Sequence, residues 1–122
     1  MELTEQEKAI LQEDFNKIWE RAKDERVSIE EDSMGICMYR SPDGLKCFVG
    51  EIIPDELYQD TMEKNIASEV FSCNYADFFK ARNSFSHAYD VMQRIHDRYD
   101  PEEWHDRLRM VAKDYALTVP QE

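Results

Sequence analysis

The chain of 122 residues is strongly acidic, with 27 aspartates and glutamates against 15 lysines and arginines, a net charge of −12 at pH 7. A hydrophobic fraction of 42% excludes a disordered chain. Charged residues make up 34% and leave no apolar run near the roughly 20 residues that a membrane-spanning helix needs. We therefore expect a single domain over residues 1–122 with no membrane segment.

The acidic excess is uneven, because residues 1–32 hold 11 acids and only 5 bases. Affinity for phosphate chains comes mainly from lysine and arginine, so this charge disfavours direct binding to nucleic acid or to anionic membranes. It favours a protein partner with a basic surface. A surface that only keeps the chain soluble would have the same composition, so charge alone leaves both interpretations open.

The N-terminal sequence has neither the basic start nor the apolar stretch of a signal peptide, so we expect a cytoplasmic protein with reduced cysteines. The first helix is predicted over residues 4–26. It begins with a capping box in "TEQE", in which the Thr4 side chain caps the helix and Glu7 reaches back. Its buried stripe has helical spacing and consists of Leu11, Phe15, Ile18 and Ala22, widened by Ile10 and Trp19.

A β-hairpin is predicted over residues 36–50. The segments "GICMYR" and "LKCFVG" are rich in strand-forming residues, and the "SPDG" between them is a good turn sequence. Both faces of this ribbon would be largely apolar, and a two-stranded ribbon is not stable alone in water. Helices must therefore cover one face, and the other could pair with a second copy of the chain in a homodimer.

Three more helices are predicted over residues 54–64, 75–99 and 101–117, which makes the fold class α+β with about four helices around one hairpin. The seam of the longest helix repeats at three and four residues from Phe78 to Tyr99. The predicted core consists of Phe15, Ile18, Trp19, Phe48, Phe85, Met92, Ile95, Trp104, Leu108 and Val111.

The string "CMYRSPDGLKCFVGEIIPDELY", residues 37–58, resembles the signature C-x-Y-R-x-x-x-G-x-x-C-x-x-G-x-x-I-P-D-E-x-Y of small uncharacterised phage, prophage and bacterial proteins. That family has no assigned activity, so the resemblance implies no catalytic residue and no cofactor. It implies a viral or mobile-element setting, in which small acidic proteins often inhibit host machinery.

The spacing of the possible metal ligands and nucleophiles fits no known site. Cys37 and Cys47 are ten residues apart, and the three histidines are nine apart, so no zinc-binding pair is formed. Nothing places Cys37, Cys47 or Cys73 beside a histidine base, and cysteine in an apolar segment is usually a core residue. We therefore predict no catalytic residue and no metal site.

Three functions remain open. The first is a non-enzymatic protein that binds and inhibits a host protein with a basic, possibly nucleic-acid-binding, surface. The second is a binder of a small anion at the hairpin and the following helix start, through Arg40 and Lys46. The third, ranked last, is an enzyme that uses Cys47 or a carboxylate pair. The residues predicted to bind the partner in the first case are Glu13, Glu20, Asp24, Glu30, Glu31, Asp32 and Tyr39.

Overall fold

The computed structural model describes residues 3–23, 47–59, 62–63, 65–72, 76–99 and 101–120. These ranges contain six α-helices and several short 3-10 turns, and they contain no β-strand. The predicted α+β class is therefore wrong for the part of the chain that the structure describes, which is helical. Within the same ranges, no helix combines the length and the apolar character needed to cross a membrane.

Helix α1 spans Glu5–Arg21 and begins as predicted. The Glu7 backbone N–H donates to Thr4 Oγ1 at 3.1 Å, and the Thr4 backbone N–H donates to Glu7 Oε1 at 2.9 Å, which completes the capping box. The predicted stripe is confirmed, because Leu11, Phe15, Ile18 and Ala22 are all buried and Trp19 is buried beside them. The last residues of the predicted 4–26 range, from 24 onward, lie outside the described residues.

The second half of the predicted hairpin is a helix. Helix α2 spans Phe48–Ile52, and Cys47, Phe48 and Val49 are fully buried. One helical turn places Phe48, Val49 and Ile52 in the same core, and this packing overrides the strand propensity of the sequence. A ribbon with a free apolar face is therefore absent at these positions, whereas a homodimer of this chain stays a prediction. Residues 36–46, which hold the first predicted strand, its turn and the start of the second strand, lie outside the described ranges.

The middle of the chain is divided into shorter elements than predicted. Within the predicted helix 54–64, the 3-10 turn Asp55–Leu57 follows Pro54, and Tyr58 already has an extended backbone with φ −68° and ψ 137°. Helix α3 spans Ala67–Ser72, which lies between the predicted helices 54–64 and 75–99. Its start is capped from another helix, because the Ser68 backbone N–H donates to Asp90 Oδ1 at 2.8 Å.

The predicted helix over 75–99 is broken. Helix α4 spans Asp77–Lys80, a 3-10 turn spans Asn83–Phe85, and helix α5 spans Ser86–Arg98. The backbone leaves the helical region at Phe85, where φ is −122° and ψ is 26°. The seam is consequently interrupted: Ala81 and Tyr99 are exposed and Phe78 is half-buried, whereas its positions Phe85, Ala88, Met92 and Ile95 are buried as predicted.

Helix α6 spans Pro101–Tyr115 and agrees with the predicted range to within two residues. Ala116 has a positive φ of 56° and turns the chain back, so that Leu117 N–H donates to Ala112 O at 2.7 Å. The tail is then held on α1, because the Gln12 amide accepts from Thr118 N–H at 2.7 Å and donates to Thr118 O at 2.8 Å.

Helix α5 lies at the centre of the fold and contacts α2, α3 and α6, while α1 contacts α2 and α6. The buried apolar side chains of the described ranges form one cluster. All ten predicted core residues are buried and belong to this cluster, so the predicted core is confirmed.

Candidate interaction surface

Two of the predicted partner-binding residues, Glu13 and Glu20, are exposed on α1. Each has a lysine one turn away: Lys17 Nζ lies 3.9 Å from Glu13 Oε1, and Lys23 Nζ lies 3.1 Å from Glu20 Oε2. These exposed ion pairs reduce the local negative potential of the helix. The other predicted binding residues lie outside the described ranges: Asp24, Glu30, Glu31, Asp32, Tyr39, Arg40 and Lys46.

A second acidic region is formed by residues 47–79, which we call the acidic segment. It contains seven acids and one base, so its net charge equals that of residues 1–32 in a segment of similar length. Glu56, Glu69 and Asp77 are exposed and form no ion pair with any described residue. The described positions of this segment include no lysine, arginine or histidine. Arg21 of α1 compensates Glu51, with Nε 3.6 Å from Oε2, but Glu56, Glu69 and Asp77 have no such base among the described residues.

An exposed apolar side chain lies within the acidic segment. Ile66, at 56% relative exposure, directly precedes α3 and is three residues from Glu69. Large apolar side chains in the described ranges are otherwise mostly buried, so an isoleucine beside unpaired carboxylates is a combination suited to contact with another molecule. The sequence signal that could have indicated this region is a count of charges over residues 47–79, whose excess equals that of residues 1–32.

Asp14 on α1 is almost fully buried. Its negative charge is compensated by Arg82, which follows α4. Arg82 Nε donates to Asp14 Oδ2 at 2.7 Å, and the Tyr89 hydroxyl donates to the same carboxylate. The Arg82 guanidinium also lies 3.7 Å from the centroid of the Phe78 ring. Burial, followed by the charge of Asp14 and the hydrogen bond to it, raises the pKa of Tyr89. Burial alone would lower the pKa of Arg82, but the hydrogen bond and charge of Asp14 raise it overall.

A second interior network joins α2 to α5. The Gln93 side-chain oxygen accepts from the Cys47 thiol at 3.2 Å and from the Val49 N–H at 3.0 Å. The Gln93 amide then donates to Asp97 at 3.1 Å. Burial raises the pKa of the Cys47 thiol to about 12, so it is a neutral donor at physiological pH. This environment argues against Cys47 as the nucleophile of the enzyme alternative.

His96 completes this network without reaching the thiol. Its Nδ1 lies 3.0 Å from Asp97 Oδ1, and its ring packs between Phe48 and Trp104, with centroids 5.2 and 5.4 Å away. Because a carboxylate only accepts, Nδ1 carries the proton. Its Nε2 is buried and has no hydrogen-bond partner in the described ranges. The thiol–imidazole pair that a cysteine nucleophile needs is therefore not formed between Cys47 and His96.

Within the part of the chain that the structure describes, no three cysteine, histidine, aspartate or glutamate side chains come together in an arrangement that could hold a metal ion. Comparisons with protein-family models, with curated proteins and with solved structures gave no match. The resemblance of residues 37–58 to phage and prophage proteins therefore stays a prediction. The surface carboxylates and the exposed Ile66 are what remains to indicate a function.

Proposed function

We propose that this chain is a small, non-enzymatic interaction protein that binds a basic surface on another protein. The observation that carries the proposal is the acidic segment, in which Glu56, Glu69 and Asp77 are exposed without an ion pair to any described residue and Ile66, three residues before Glu69, is exposed as well. Unpaired carboxylates attract a basic partner over a distance of about 8 Å at physiological salt. An exposed isoleucine then supplies an apolar contact once the two surfaces meet.

The acids of α1 and of residues 24–32 contribute to the same field. Glu13 and Glu20 lie on the exposed side of α1, opposite the residues that pack into the core. Their lysine partners weaken the local potential, so we assign them a supporting part in long-range attraction and assign the contact itself to the acidic segment.

The setting follows from the resemblance to phage and prophage proteins. On that basis the partner is a host protein whose basic surface normally holds nucleic acid, the encounter takes place in the host cytoplasm, and binding inhibits the host protein. A net charge of −12 on a chain of this size supports such competition, because the exposed carboxylates present to the partner the sign of charge that phosphate groups would.

The experiment that tests this function is affinity capture from bacterial lysate with three charge variants of equal net charge. The first variant is Glu56→Lys with Glu69→Lys in the acidic segment, and the second is Glu13→Lys with Glu20→Lys on α1. A matched control, Glu102→Lys with Glu103→Lys, reverses two exposed acids at the start of α6.

We expect the parent chain to retain a basic protein that elutes with added salt. The acidic-segment variant should lose most of this protein, the α1 variant less, and the α6 control least. Equal retention by the parent and all three variants would show that the carboxylates only confer solubility. Equal loss in all three would show that net charge, and no particular surface, governs the binding.

A further inference from the structure

A groove of about 230 Å³ runs along the outer side of the α5–α6 pair, away from the acidic segment in sequence. Its apolar lining comes from Val91 and Ile95 on α5 and from Val111 on α6. Tyr99 and Met110 also line it, and they are 37% and 57% exposed. The large apolar side chains left exposed in the described ranges are these two and Ile66, so this groove concentrates exposed apolar surface.

Two arginines line the same groove, Arg94 from α5 and Arg107 from α6. Neither forms an ion pair or donates a hydrogen bond to any described residue. The Arg107 guanidinium lies 4.2 Å from the centroid of the Tyr99 ring. Stacking of this kind uses the face of the guanidinium and leaves its N–H donors, which lie in the plane, available for an anion.

We propose that this groove binds a small carboxylate ligand whose apolar body is a single ring or a short chain. The carboxylate pairs with Arg94 and Arg107, since a guanidinium presents two parallel donors to a carboxylate. The apolar body lies on Val91, Ile95 and Val111, and Met110 covers it. A methionine side chain adapts its shape readily and makes favourable contacts with aromatic rings.

The size and charge of the groove select this class of ligand. A volume of about 230 Å³ is below the roughly 300 to 1,000 Å³ typical of sites for drug-sized molecules, so the ligand is smaller than those. Asp114 also lines the groove, and the whole chain has a net charge of −12. Both repel a doubly charged head more than a singly charged one, which favours a carboxylate over a phosphate.

This site goes beyond the proposed function, because it uses a different surface and the opposite charge. Its test uses 4-phenylbutyrate as the probe and the Met110 methyl signal in an NMR titration of the full chain. Two analogues with the same body, 4-phenylbutyramide and 3-phenylpropylphosphonate, replace the carboxylate with a neutral head and with a head that can carry two charges. Arg94→Gln and Arg107→Gln each remove one guanidinium, and Arg98→Gln removes one from α5 outside the groove.

We expect a saturable shift of the Met110 methyl signal with 4-phenylbutyrate and weaker binding of both analogues. Each groove variant should raise the Kd about threefold or more, as expected for partly exposed charge pairs, whereas Arg98→Gln should leave it unchanged. Signals away from the groove that are unchanged in each variant verify that the variant is folded. Arg94→Gln removes a guanidinium without disturbing the stacking of Arg107 on Tyr99, so its effect cannot come from the loss of that stacking. The proposal is overturned if the Met110 signal does not shift, if either analogue binds as tightly as the acid, or if all three arginine variants behave alike.

Discussion

The carboxylate of Asp14 and the guanidinium of Arg82, 68 residues apart in the chain, form an ion pair inside the protein, with Arg82 Nε 2.7 Å from Asp14 Oδ2. The pair connects α1 to the turn between α4 and α5, and the Arg82 guanidinium also donates to Phe78 O at 2.9 Å. An arginine with this many partners fixes the position at which the chain changes direction. Arg82 thus neutralises Asp14 from within the segment in which the predicted helix 75–99 is broken.

Removal of one partner of this pair should destabilise the protein strongly. Arg82→Met leaves the Asp14 carboxylate buried without its counter-charge, and losses of about 3 to 5 kcal/mol are usual for such a change. The double variant Asp14→Leu with Arg82→Met buries no charge and should recover most of this loss. Urea unfolding of the parent, single and double variants measures both values. A cost below about 1 kcal/mol for Arg82→Met would mean that the pair is solvated and carries little of the stability.

Phe85→Ala should leave a chain that is barely folded. The ring is 2% exposed and lies 6.0 Å from the ring of Tyr89, centroid to centroid. Truncation of a buried aromatic costs about 3 to 5 kcal/mol, against a total stability of about 5 to 15 kcal/mol for a typical domain. Ile66→Ala is the control, because Ile66 is exposed and its loss should change the urea midpoint little. A midpoint for Phe85→Ala equal to that of the parent would place this ring outside the core.

The charge of Glu7 should make the stability of α1 depend on pH. The Ser84 hydroxyl donates to its carboxylate, and this bond, followed by the one from the Thr4 backbone N–H, lowers the pKa of Glu7 below its ordinary value of 4.5. Because the pKa of Glu7 is lower in the folded state, its carboxylate stabilises the fold at a pH above the unfolded-state pKa. This stabilisation is lost as the pH falls through the folded-state pKa. Glu7→Gln should therefore lower the Tm at pH 7 and have a smaller effect at pH 3.

The control for this pH dependence is Glu5→Gln, which removes the same charge from the same helical turn. Glu5 makes no side-chain hydrogen bond with a described residue, so its replacement should change the Tm less at pH 7. Equal effects of the two variants at both pH values would mean that the helix dipole, and not the hydrogen bonds of Glu7, is responsible.

Cys47 should resist alkylation in the native protein. In a Cys37→Ser, Cys73→Ser background, iodoacetamide should modify Cys47 at least about a hundredfold more slowly in buffer than in urea, because the reactive thiolate is suppressed and the sulfur is buried. The raised pKa favours the neutral thiol in the fold. The neutral Cys47 thiol therefore contributes its full stability below the unfolded-state pKa near 9. This contribution is lost as the pH rises toward the folded-state pKa of about 12. Rapid native labelling would restore Cys47 as a candidate nucleophile.

The core and the two terminal helices could be predicted from sequence because local signals and tertiary packing agree there. Thr4 and Glu7 form a capping box whose geometry is entirely local, and Pro101 begins α6 as the first helical residue. The apolar spacing of α1, α5 and α6 is sustained over enough turns that only one face can be buried. Each such segment specifies its own structure before any long-range contact is made.

The hairpin prediction failed because "LKCFVG" is short enough for long-range contacts to decide its structure. Phe48 packs edge-to-face on Trp104, with centroids 5.0 Å apart, and Val49 N–H donates to Gln93. Both partners are more than 40 residues away, and no local pattern encodes them. The helix break near Phe85 does have a sequence signal, since Asn83 and Ser84 favour turns and caps over helix interiors.

A count of charges over residues 47–79 would have found the acidic segment from the sequence. The sequence could not show which of its acids form ion pairs. Whether a lysine neutralises a nearby glutamate depends on the helix that carries both. On α1 the spacing places Lys17 next to Glu13, whereas Glu69 on α3 has no base in reach among the described residues. Such compensation depends on the fold, so composition alone ranked α1 first.

The most direct test of the proposed function is the association rate of the captured partner with the parent and with the Glu56→Lys, Glu69→Lys variant, measured at low and at high salt. If the acidic segment attracts the partner, the rate for the variant should fall by about tenfold or more at low salt, and the two rates should converge at high salt. The α6 control should follow the parent at both. Identical rates and identical salt dependence for parent and variant would contradict the proposal and leave the acidic segment as a solvated surface.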